Sequence, residues 1–551
     1  MASPNGRGPV TVGSEDLPPG TVLLVRDSDL TGSTPLLVPT PSSDPNDPLN
    51  WSPLRKTVNF TIVFAVSVAV FTTLSVQTVY WQQMNLDLHI SFEHLNNAQS
   101  ANLAGLAVGC IFFIPLARKF GRRPTYILST AIMAAVAWWC ARMQSLTELY
   151  LTNLFHGLAG ATNEALVQMT IADLFFVHQR GTLNALYLTA VMIGSFLTPM
   201  AAGVQAQNEG WRWSYYTLAI FLTVLFVVCC FAYEETKYVV PDASGASDHD
   251  AAAAAAAAAG PQKSDAQEER HDGEDAKSQR LEPHTSPASD HQRRPPPLKT
   301  YRQRLRLITK TPEPFWKLLY FPVYVAFLPH VFFTSLQYAA GVAWLVISSA
   351  TIAMVLPFPP YNFGPAAIGY MGVAPFIGNL VGSFYGGVLS DWAITRLARR
   401  NKGYFEPEMR LYHLLPPALF MAGGLIMQGA TFQREMHWIY PAVGGAFFAY
   451  GLGAIGDTSF TLVIDTYRPI TGEAFVTVAF FRNAVSVGVP FGITRWMRNM
   501  GLQNMFLVAG FVSLFISLLF VPLILWGKRI RTALAPQYAW ILREQAKLTA
   551  P

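Results

Sequence analysis

Charged side chains are scarce in this sequence of 551 residues, of which Asp, Glu, Lys and Arg make up 13% and hydrophobic residues 51%. Because soluble chains typically carry about 25% charged residues, this composition excludes a set of separate water-soluble domains. The net charge of +5, from 39 basic and 34 acidic residues, is too small and too dispersed for a nucleic-acid-binding protein. We therefore expect a protein whose partner is the lipid bilayer and not a nucleic acid.

Cysteine and the common catalytic motifs are also rare or missing. The four cysteines, Cys110, Cys140, Cys229 and Cys230, lie in apolar runs, so we expect neither disulfides nor a Cys-ligated metal. The sequence contains no Walker A phosphate loop and no His-Glu-x-x-His zinc motif. The run Gly453-Ala-Ile-Gly-Asp457 resembles the Gly-x-Gly-Asp of intramembrane aspartyl proteases, but it is one residue too long and has no matching Tyr-Asp. The sequence thus predicts no enzyme, metal or cofactor, with a membrane-embedded hydrolase as a remote alternative.

Long apolar runs dominate the rest of the chain. A run of about 20 residues spans the hydrocarbon core as a helix, because lipid leaves the backbone of such a run no partner but itself. The sequence therefore predicts an all-α membrane protein with twelve transmembrane helices. The predicted spans cover residues 57–81, 96–117, 124–143, 148–172, 182–205, 213–233, 318–346, 364–390, 411–431, 437–463, 474–495 and 502–526.

The basic residues lie mostly on one side of these spans. If the N-terminus is cytosolic, five arginines fall in outer loops and one lies inside a span, while the remaining 33 of the 39 Lys and Arg residues face the cytosol. Because basic loops stay in the cytosol, we expect both ends of the chain there, with no cleavable signal peptide. The five outer arginines are Arg142, Arg212, Arg434, Arg495 and Arg498, and the one within a span is Arg482.

A polar block separates the spans into two sets of six. Residues 239–317 contain nine consecutive alanines (251–259) and mixed charges, a composition that buries too little apolar surface to order itself. Within this block, residues 301–310 are basic with interleaved Leu and Ile, which is compatible with a position along the inner leaflet. The predicted parts are a disordered cytosolic N-terminus (1–56), a six-helix bundle (57–233), a disordered cytosolic linker (234–317), a second six-helix bundle (318–526) and a cytosolic C-terminus (527–551).

The two sets of spans are related by an internal repeat. Gly105 and Gly109 match Gly378 and Gly382 at an offset of 273 residues. Beyond a loop that is about 20 residues longer in the second half, the matches continue at larger offsets. This ordered series predicts two pseudo-symmetric bundles that face each other, as in many transporters. The later matches are Glu164 with Asp457, Asp173 with Asp465 and Pro199 with Pro490. The proline pair has glycines on both sides, which are Gly194 and Gly203 in the first half and Gly488 and Gly492 in the second.

Six short motifs flank the predicted spans. They are Asp47-Pro-Leu-Asn-Trp51, Phe120-Gly-Arg-Arg-Pro124, Asp173-Leu-Phe-Phe-Val-His-Gln-Arg-Gly181, Trp211-Arg-Trp213, Glu234-Glu-Thr-Lys-Tyr238 and Glu406-Pro-Glu-Met-Arg-Leu411. Together they resemble the major facilitator superfamily, and more narrowly its fungal branch of twelve-span drug:proton antiporters. The resemblance implies the superfamily fold, a monomer, and the plasma membrane as location, with the vacuolar membrane second. It also implies gating or conformational roles for Gly121, Arg122, Arg123, Asp173, Arg180, Gly181, Asp391, Pro199 and Gly203.

Three features depart from the superfamily pattern. Arg118 stands where the loop after span two usually has an acid that helps to lock the inner gate, whereas the second half keeps Asp391 at the equivalent position. Asn153 replaces an arginine of span four that is often linked to proton handling. The span-five run 194–203 keeps three of the five marked positions of the antiporter pattern. A lock built on Arg118 therefore needs a different partner or is weaker, and proton coupling through the span-four arginine is not expected.

Three ionisable residues, Glu164, Asp457 and Arg482, lie deep in predicted spans. A charge near mid-membrane costs at least about 2.5 to 3.5 kcal/mol, so it usually faces a polar cavity and has a function there. The repeat predicts Glu164 and Asp457 on facing helices across such a cavity. We expect Glu164 to bind the proton or a substrate cation, Asp457 to assist, and Arg482 to act as counter-ion or anion anchor. An internal ion pair or a charge at a helix end is the structural alternative, and it is as well supported for Asp457.

His156 and His330 also lie in spans and are candidate proton sites because histidine titrates near neutral pH, although a packing role is the commoner one for a single histidine in a helix. The function that fits these features is proton-coupled export of a drug-like compound or secondary metabolite by alternating access. Proton-coupled uptake of an organic cation or nutrient is the alternative, because two cavity acids attract cations. A transporter-like sensor is more remote, since the polar tails are short.

Overall fold

The structure is a computed structural model that describes residues 18–23, 44–238, 298–309, 315–401 and 404–549. Helices account for most of these ranges, and each of the twelve predicted spans coincides with a helical stretch. The predicted all-α membrane fold is therefore confirmed. In the first half the helices are α1 (Pro53–Ser75), α2 (Trp81–Leu88), α3 (Phe92–Phe120), α4 (Arg122–Ala141), α5 (Leu146–Leu174), α6 (Val177–Met192), α7 (Thr198–Glu209) and α8 (Trp211–Phe231).

The second half contains more broken spans than the first. The predicted span 318–346 consists of two helices, because Leu328 is extended (φ −74°, ψ 123°) and the ring of Pro329 disfavours a helical residue before it. The helices after the first half are α9 (Tyr301–Arg304), α10 (Phe315–Ala326), α11 (Pro329–Val355), α12 (Pro365–Tyr370), α13 (Val373–Phe384), α14 (Ser390–Arg400), α15 (Leu415–Gln433), α16 (Ile439–Thr466), α17 (Thr471–Ser486), α18 (Gly488–Leu518), α19 (Phe520–Ala533) and α20 (Ala535–Thr549).

Ten stretches of the described chain are long and apolar enough to cross a membrane. The last of them, Arg468–Ala533, is 66 residues long and holds the predicted spans eleven and twelve. These two spans part at Gly501 within α18, where φ is +76°, a left-handed conformation that glycine adopts without strain. The boundary between the spans therefore falls next to the predicted one.

The helices pack as two halves, α1 to α8 and α10 to α19. Here the inner end of the molecule is the end where the chain enters α1 and leaves α19, and the outer end is the opposite one. Between the halves, α3 contacts α17 and α18, and α7 contacts α12. The largest cluster of buried apolar residues includes side chains from both halves, so the interface is part of the core.

The structure differs from the expected disorder at three polar segments. Val22–Leu23 (β1) pairs antiparallel with Tyr404–Phe405 (β2). Residues 44–52 pack on the first half, where Asp44 accepts a hydrogen bond of 3.0 Å from the Tyr238 hydroxyl. The segment 298–309 also contacts the first half. Most other residues of the predicted disordered parts, including the alanine run, lie outside the described residues.

Candidate functional site

Glu164 and Arg482 form an ion pair that joins the two halves. Glu164 lies on α5 of the first half and Arg482 on α17 of the second, and Nη2 of Arg482 donates to Oε1 of Glu164. Asn483 contacts both partners: its Nδ2 donates to Oε2 of Glu164 at 2.8 Å, and its Oδ1 accepts from Nε of Arg482 at 3.2 Å. One amide therefore fixes the orientation of both charges.

The central ion pair is shielded from solvent. The side chain of Glu164 is 4% exposed and that of Arg482 is 16% exposed, while Asn483 is buried. The Cys110 thiol, on α3, lies 3.8 Å from Oε2 of Glu164. Because taking an ion out of water costs several kcal/mol, each charge stabilises the other only while the halves stay together. Separation of the halves requires water, a ligand or a proton to replace the lost partner.

Asp457 on α16 lies beside a cluster of aromatic rings. The side chains of Tyr338 and Ser383 are close to its carboxyl group. The ring of Phe460, one turn further along α16, packs edge-on against Tyr338 at 4.3 Å and against Phe475 at 4.9 Å between centroids. A carboxylate next to aromatic rings favours organic cations, which are attracted by the negative charge and by the ring faces.

Glu164 and Asp457 do not contact each other in the described part of the chain. The repeat predicts that they lie on facing helices across a cavity, and Arg482, the predicted counter-ion, is the charged partner of Glu164 in the structure. The physical reason is that a nearby cation favours the ionised form of a buried acid, whereas a second acid disfavours it. The structure therefore brings together one acid and the arginine of the three predicted charges.

The two histidines of the spans have separate surroundings. Nδ1 of His156 is 4.0 Å from Sγ of Cys140 within the first half. Nε2 of His330 is 3.4 Å from Oε1 of Glu408, and its Nδ1 is 3.5 Å from the Tyr467 hydroxyl. Among the described residues, neither histidine contacts the central ion pair.

Arg118 and Glu473 connect the halves at the inner end. Nη1 of Arg118, on α3, donates to Oε1 of Glu473, on α17, at 2.8 Å. Their side chains are 21% and 6% exposed. Arg118 stands at the position where the superfamily pattern has an acid, and it thus has an acidic partner in the opposite half.

The loop between α3 and α4 is held by a second set of contacts within the first half. Gly121 has φ +116°, and Nε of Arg122 lies 3.0 Å from Oδ2 of Asp173 at the end of α5. The Glu235 carboxylate accepts from the backbone N–H groups of Arg122 and Arg123 at 3.0 and 3.2 Å. Burial raises the pKa of Glu235, although these N–H groups oppose the rise.

In the second half, the residue equivalent to Arg118 is Asp391, which lies in the first turn of α14. Its Oδ1 lies 3.0 Å from Nη1 of Arg410, and Nε of Arg410 lies 2.6 Å from Oδ2 of Asp465. Asp391, Arg410 and Asp465 all belong to the second half, so this network does not cross the interface. Arg180 and Gly181, which the superfamily resemblance also implicates, lie in the helical backbone of α6, but their side chains are outside the described set.

Pro199 and Gly203 lie at an outer contact between α7 and α12. A Cβ atom added to Gly203 would come within 2.5 Å of the Pro365 carbonyl oxygen. A Cβ atom added to Gly369 would come within 2.7 Å of the Pro199 carbonyl oxygen. The two backbones therefore approach so closely that only glycine fits at both positions, as small residues allow between membrane helices.

Arg531 and Glu408 form a buried cluster that the sequence does not predict. Nε and Nη2 of Arg531 donate to the two carboxylate oxygens of Glu408 at 2.7 and 2.8 Å, and Nη1 donates to Oγ1 of Thr21 at 3.1 Å. Burial alone raises the pKa of Glu408, but the hydrogen bonds from His330 and Arg531 outweigh it and lower the pKa to about 2. The cluster fixes the inner end of the second half.

Three residues of these contacts differ in how strongly the sequence points to them. Glu473 lies next to the predicted start of span eleven and reads as an ordinary interfacial acid. Asn483 follows Arg482 directly, and a polar neighbour of a buried arginine is a usable signal. Arg531 lies in a basic run after the last apolar span, where sequence predicts exposure.

The architecture itself defines the class of protein. Two helical bundles meet at an outer glycine contact, a central ion pair and an inner ion pair, which is the construction of a secondary transporter. The family model described as Major Facilitator Superfamily matches residues 62–490. The chain therefore belongs to the major facilitator superfamily, whose members carry small molecules across membranes, and it is a multi-pass membrane protein.

Individual proteins extend this similarity to most of the chain. An uncharacterized MFS-type transporter of Schizosaccharomyces pombe is 28% identical over 96% of this chain and 95% of its own length. The multidrug transporter TPO1_1 of Candida glabrata is 24% identical over 89% of this chain and 79% of its own length. The xylose transporter XylE from E. coli, in a partially occluded inward open conformation, matches with a TM-score of 0.51 and 13% identity over 84% of this chain and 98% of that one. This last likeness concerns the fold alone.

Proposed function

We propose that this protein exports a small organic compound in exchange for protons, and that Glu164 carries the proton. The observation that supports this best is the shielded ion pair of Glu164 and Arg482, which joins α5 of the first half to α17 of the second. Arg482 keeps the carboxylate ionised while the halves are together. A proton on Glu164 removes the charge that Arg482 binds, so the halves then separate more readily.

The substrate is proposed to bind beside Asp457, at the aromatic cluster. Phe475, which belongs to this cluster, and Arg482 are seven residues apart on α17, which places them on the same helix face about 10 Å apart. The carboxylate and rings favour an organic cation with an apolar body. The name of the multidrug transporter TPO1_1 supports drug-like compounds as the substrate class.

Exchange requires that the proton and the substrate exclude each other. A proton on Glu164 leaves Arg482 with an uncompensated positive charge in a shielded space, and that charge repels a cation nearby. An organic cation beside Asp457 therefore favours the ionised, paired form of Glu164. Mutual exclusion through Arg482 is the proposed basis of antiport.

Flux measurements under imposed pH gradients test this proposal. The purified protein is reconstituted in vesicles, and ethidium serves as the probe cation. Antiport predicts faster ethidium movement when the receiving compartment is the more acidic, and slower movement when the gradient is reversed. Equal rates under both gradients would contradict proton coupling.

A matched pair of variants tests the role of Glu164. Glu164→Gln removes the titratable group and should abolish the dependence of flux on the pH gradient. Glu148→Gln changes an acid at the N-terminal end of the same helix, in the capping box of α5, and should retain that dependence. Unchanged rate and pH dependence in Glu164→Gln would remove Glu164 from the mechanism.

Uptake by proton symport is the second candidate. Asp457 and the aromatic rings beside it support symport, because they attract cations from either side of the membrane. Symport predicts the opposite response to the imposed gradient: ethidium moves faster when the compartment that it leaves is the more acidic. The same experiment therefore distinguishes the two directions.

We further propose a monomer in the plasma membrane with both ends of the chain in the cytosol, and the vacuolar membrane as the second location. The excess of basic residues in the inner loops supports this orientation. Epitope tags at the two ends should be detected at the cell surface only after permeabilisation. Detection of either tag on intact cells would contradict it.

A further inference from the structure

The segment 298–309 lies at the level where the helices of the first half leave the membrane. The Tyr301 hydroxyl donates to the carbonyl of Phe231, the last residue of α8. The N–H of Thr309 donates to the carbonyl of Phe120, the last residue of α3, at 2.8 Å. Because α3 and α8 are both long and apolar enough to cross a membrane, this segment lies where these two helices end at the inner end of the first half.

Apolar side chains of the segment are exposed in the isolated chain. Leu298, Tyr301, Leu307 and Ile308 are 64%, 58%, 54% and 46% exposed. Beside the end of a membrane helix, such side chains are favourable where they enter the boundary between head groups and acyl chains. A lipid environment therefore accounts for all four, whereas water leaves them unburied.

Three arginines lie between Tyr301 and Leu307. Arg302, Arg304 and Arg306 form no ion pair with a carboxylate within the described ranges. Nε of Arg304 donates to the Lys299 carbonyl at 2.9 Å, which leaves its terminal nitrogens for another ligand. Guanidinium groups match the oxygen geometry of phosphate and carboxylate groups. The charge of the segment thus complements an anionic surface.

We propose that the segment 298–309 binds anionic phospholipids of the adjacent leaflet. Arg302, Arg304 and Arg306 contact the head groups, and the four exposed apolar side chains enter the acyl-chain boundary. Each arginine near an anionic surface contributes roughly fivefold to the binding constant at low salt. The proposal concerns lipid binding and does not depend on the transported substrate.

Two contacts connect this segment to the inner end of the first half. Nη1 of Arg123, in the first turn of α4, donates to the carbonyl of Leu305. Nζ of Lys237 donates to the carbonyl of Thr309 at 3.4 Å. Bound lipid therefore stabilises the backbone around the loop between α3 and α4, and lipid binding should raise the thermal unfolding temperature of the full chain.

Native mass spectrometry of the full chain in detergent tests the proposal, with phosphatidylserine and phosphatidylcholine present in equal amounts. We expect the wild type to retain phosphatidylserine preferentially, and R302Q/R304Q/R306Q to lose most of that preference. R302K/R304K/R306K keeps the charge and should keep the preference. An unchanged preference in the glutamine variant would overturn the proposal.

Two controls distinguish this surface from general charge effects and from a site for soluble anions. R434Q/R495Q/R498Q removes three exposed arginines at the outer end and should leave the lipid preference intact; an equal loss there would overturn the proposal. Glycerophosphoserine has the head group without acyl chains and should not compete with phosphatidylserine. Effective competition would identify a soluble-anion site and contradict a membrane-binding surface. Without lipid, the variants should unfold at the wild-type temperature, and a lower temperature in the glutamine variant would contradict an exposed lipid-facing role.

Discussion

The two halves carry opposite charges at an equivalent position and use them differently. Arg118 of the first half reaches across the interface to Glu473 at 2.8 Å. Asp391, its counterpart in the second half, pairs with Arg410 of its own half at 3.0 Å and is 70% exposed. The repeat thus preserves the position of a charged residue, and the sign of the charge decides which half that residue binds.

The inner ends of the halves are also stabilised by different means. In the first half, Glu235 accepts hydrogen bonds from backbone N–H groups at the start of α4. In the second half, Arg531 is buried and binds Glu408 through two hydrogen bonds. The second half therefore depends more on a pair of buried charges, and its stability should respond more to their removal.

The largest expected effect is that of Arg531→Ala. This change leaves the buried Glu408 carboxylate without its main partner, and breaking a buried ion pair typically costs about 3–5 kcal/mol of unfolding free energy. Lys528→Ala is the control, because Lys528 is 59% exposed in its pair with Glu406 and such pairs are worth at most about 1 kcal/mol. Chemical unfolding in detergent measures the unfolding free energy of both variants. Equal losses of free energy in the two variants would contradict the greater contribution of the buried pair.

The second prediction concerns the pH dependence of stability through Glu408. Its pKa falls from an ordinary value of 4.5 to about 2 in the folded chain. Its contribution, about 3 kcal/mol, is therefore present above pH 4.5 and is lost as the pH falls toward about 2. Glu408→Gln should be less stable than the wild type near neutral pH, and the difference should shrink on acidification. A difference that stays constant with pH would contradict this assignment.

The third prediction compares two glycines that follow the matched prolines Pro199 and Pro490. A Cβ at Gly203 meets the Pro365 carbonyl oxygen at 2.5 Å, whereas a Cβ at Gly492 meets nothing within 4 Å. Gly203→Ala should therefore cost about 1–3 kcal/mol through overpacking, while Gly492→Ala should be nearly neutral. Thermal unfolding of the two variants measures the difference, and similar unfolding temperatures would show that the outer contact is not tight.

The smallest expected effect is that of Arg118→Gln. Arg118 is 21% exposed, and the buried Glu473 keeps a hydrogen bond of 3.3 Å from Nε2 of Gln545 when Arg118 is removed. The loss of the pair should therefore cost about 1 kcal/mol, which corresponds to roughly fivefold faster local hydrogen exchange. Exchange should increase at the inner ends of α3 and α17. Asp391→Asn should not increase hydrogen exchange at these helix ends. The double variant Arg118→Glu with Glu473→Arg, in which the two charges are swapped, should restore the wild-type rate of hydrogen exchange. Failure of that restoration would contradict a direct pair.

Much of the fold could be predicted from the sequence because its signals are local. Apolar runs of helical length identified the spans, and the regular offsets of the repeat identified two halves. Pro329 divides a predicted span into α10 and α11, a break that the proline marks but span length alone does not show. The described segments 18–23 and 298–309 were expected to be disordered because their composition is polar, but they obtain backbone partners from β2 and α3.

The site could be predicted only in part. Glu164 and Arg482 stand out because charge is costly in a span, but sequence does not show which charges meet across an interface. The repeat predicts Glu164 and Asp457 on facing helices across a cavity, with Arg482 as a counter-ion, and the structure pairs Arg482 with Glu164. Glu473 supplies the partner that Arg118 needed, and only the packing of α3 on α17 reveals it.

The central claim is that protonation of Glu164 releases Arg482 and lets the halves separate. Nitroxide labels at Leu54→Cys and Arg399→Cys, with Cys230→Ser, report the distance between the inner ends of the halves by electron paramagnetic resonance. The account predicts that acidification shifts the wild-type distance distribution, and that Glu164→Gln shows the acidic distribution at every pH. A Glu164→Gln variant whose distances still change with pH as in the wild type would contradict it.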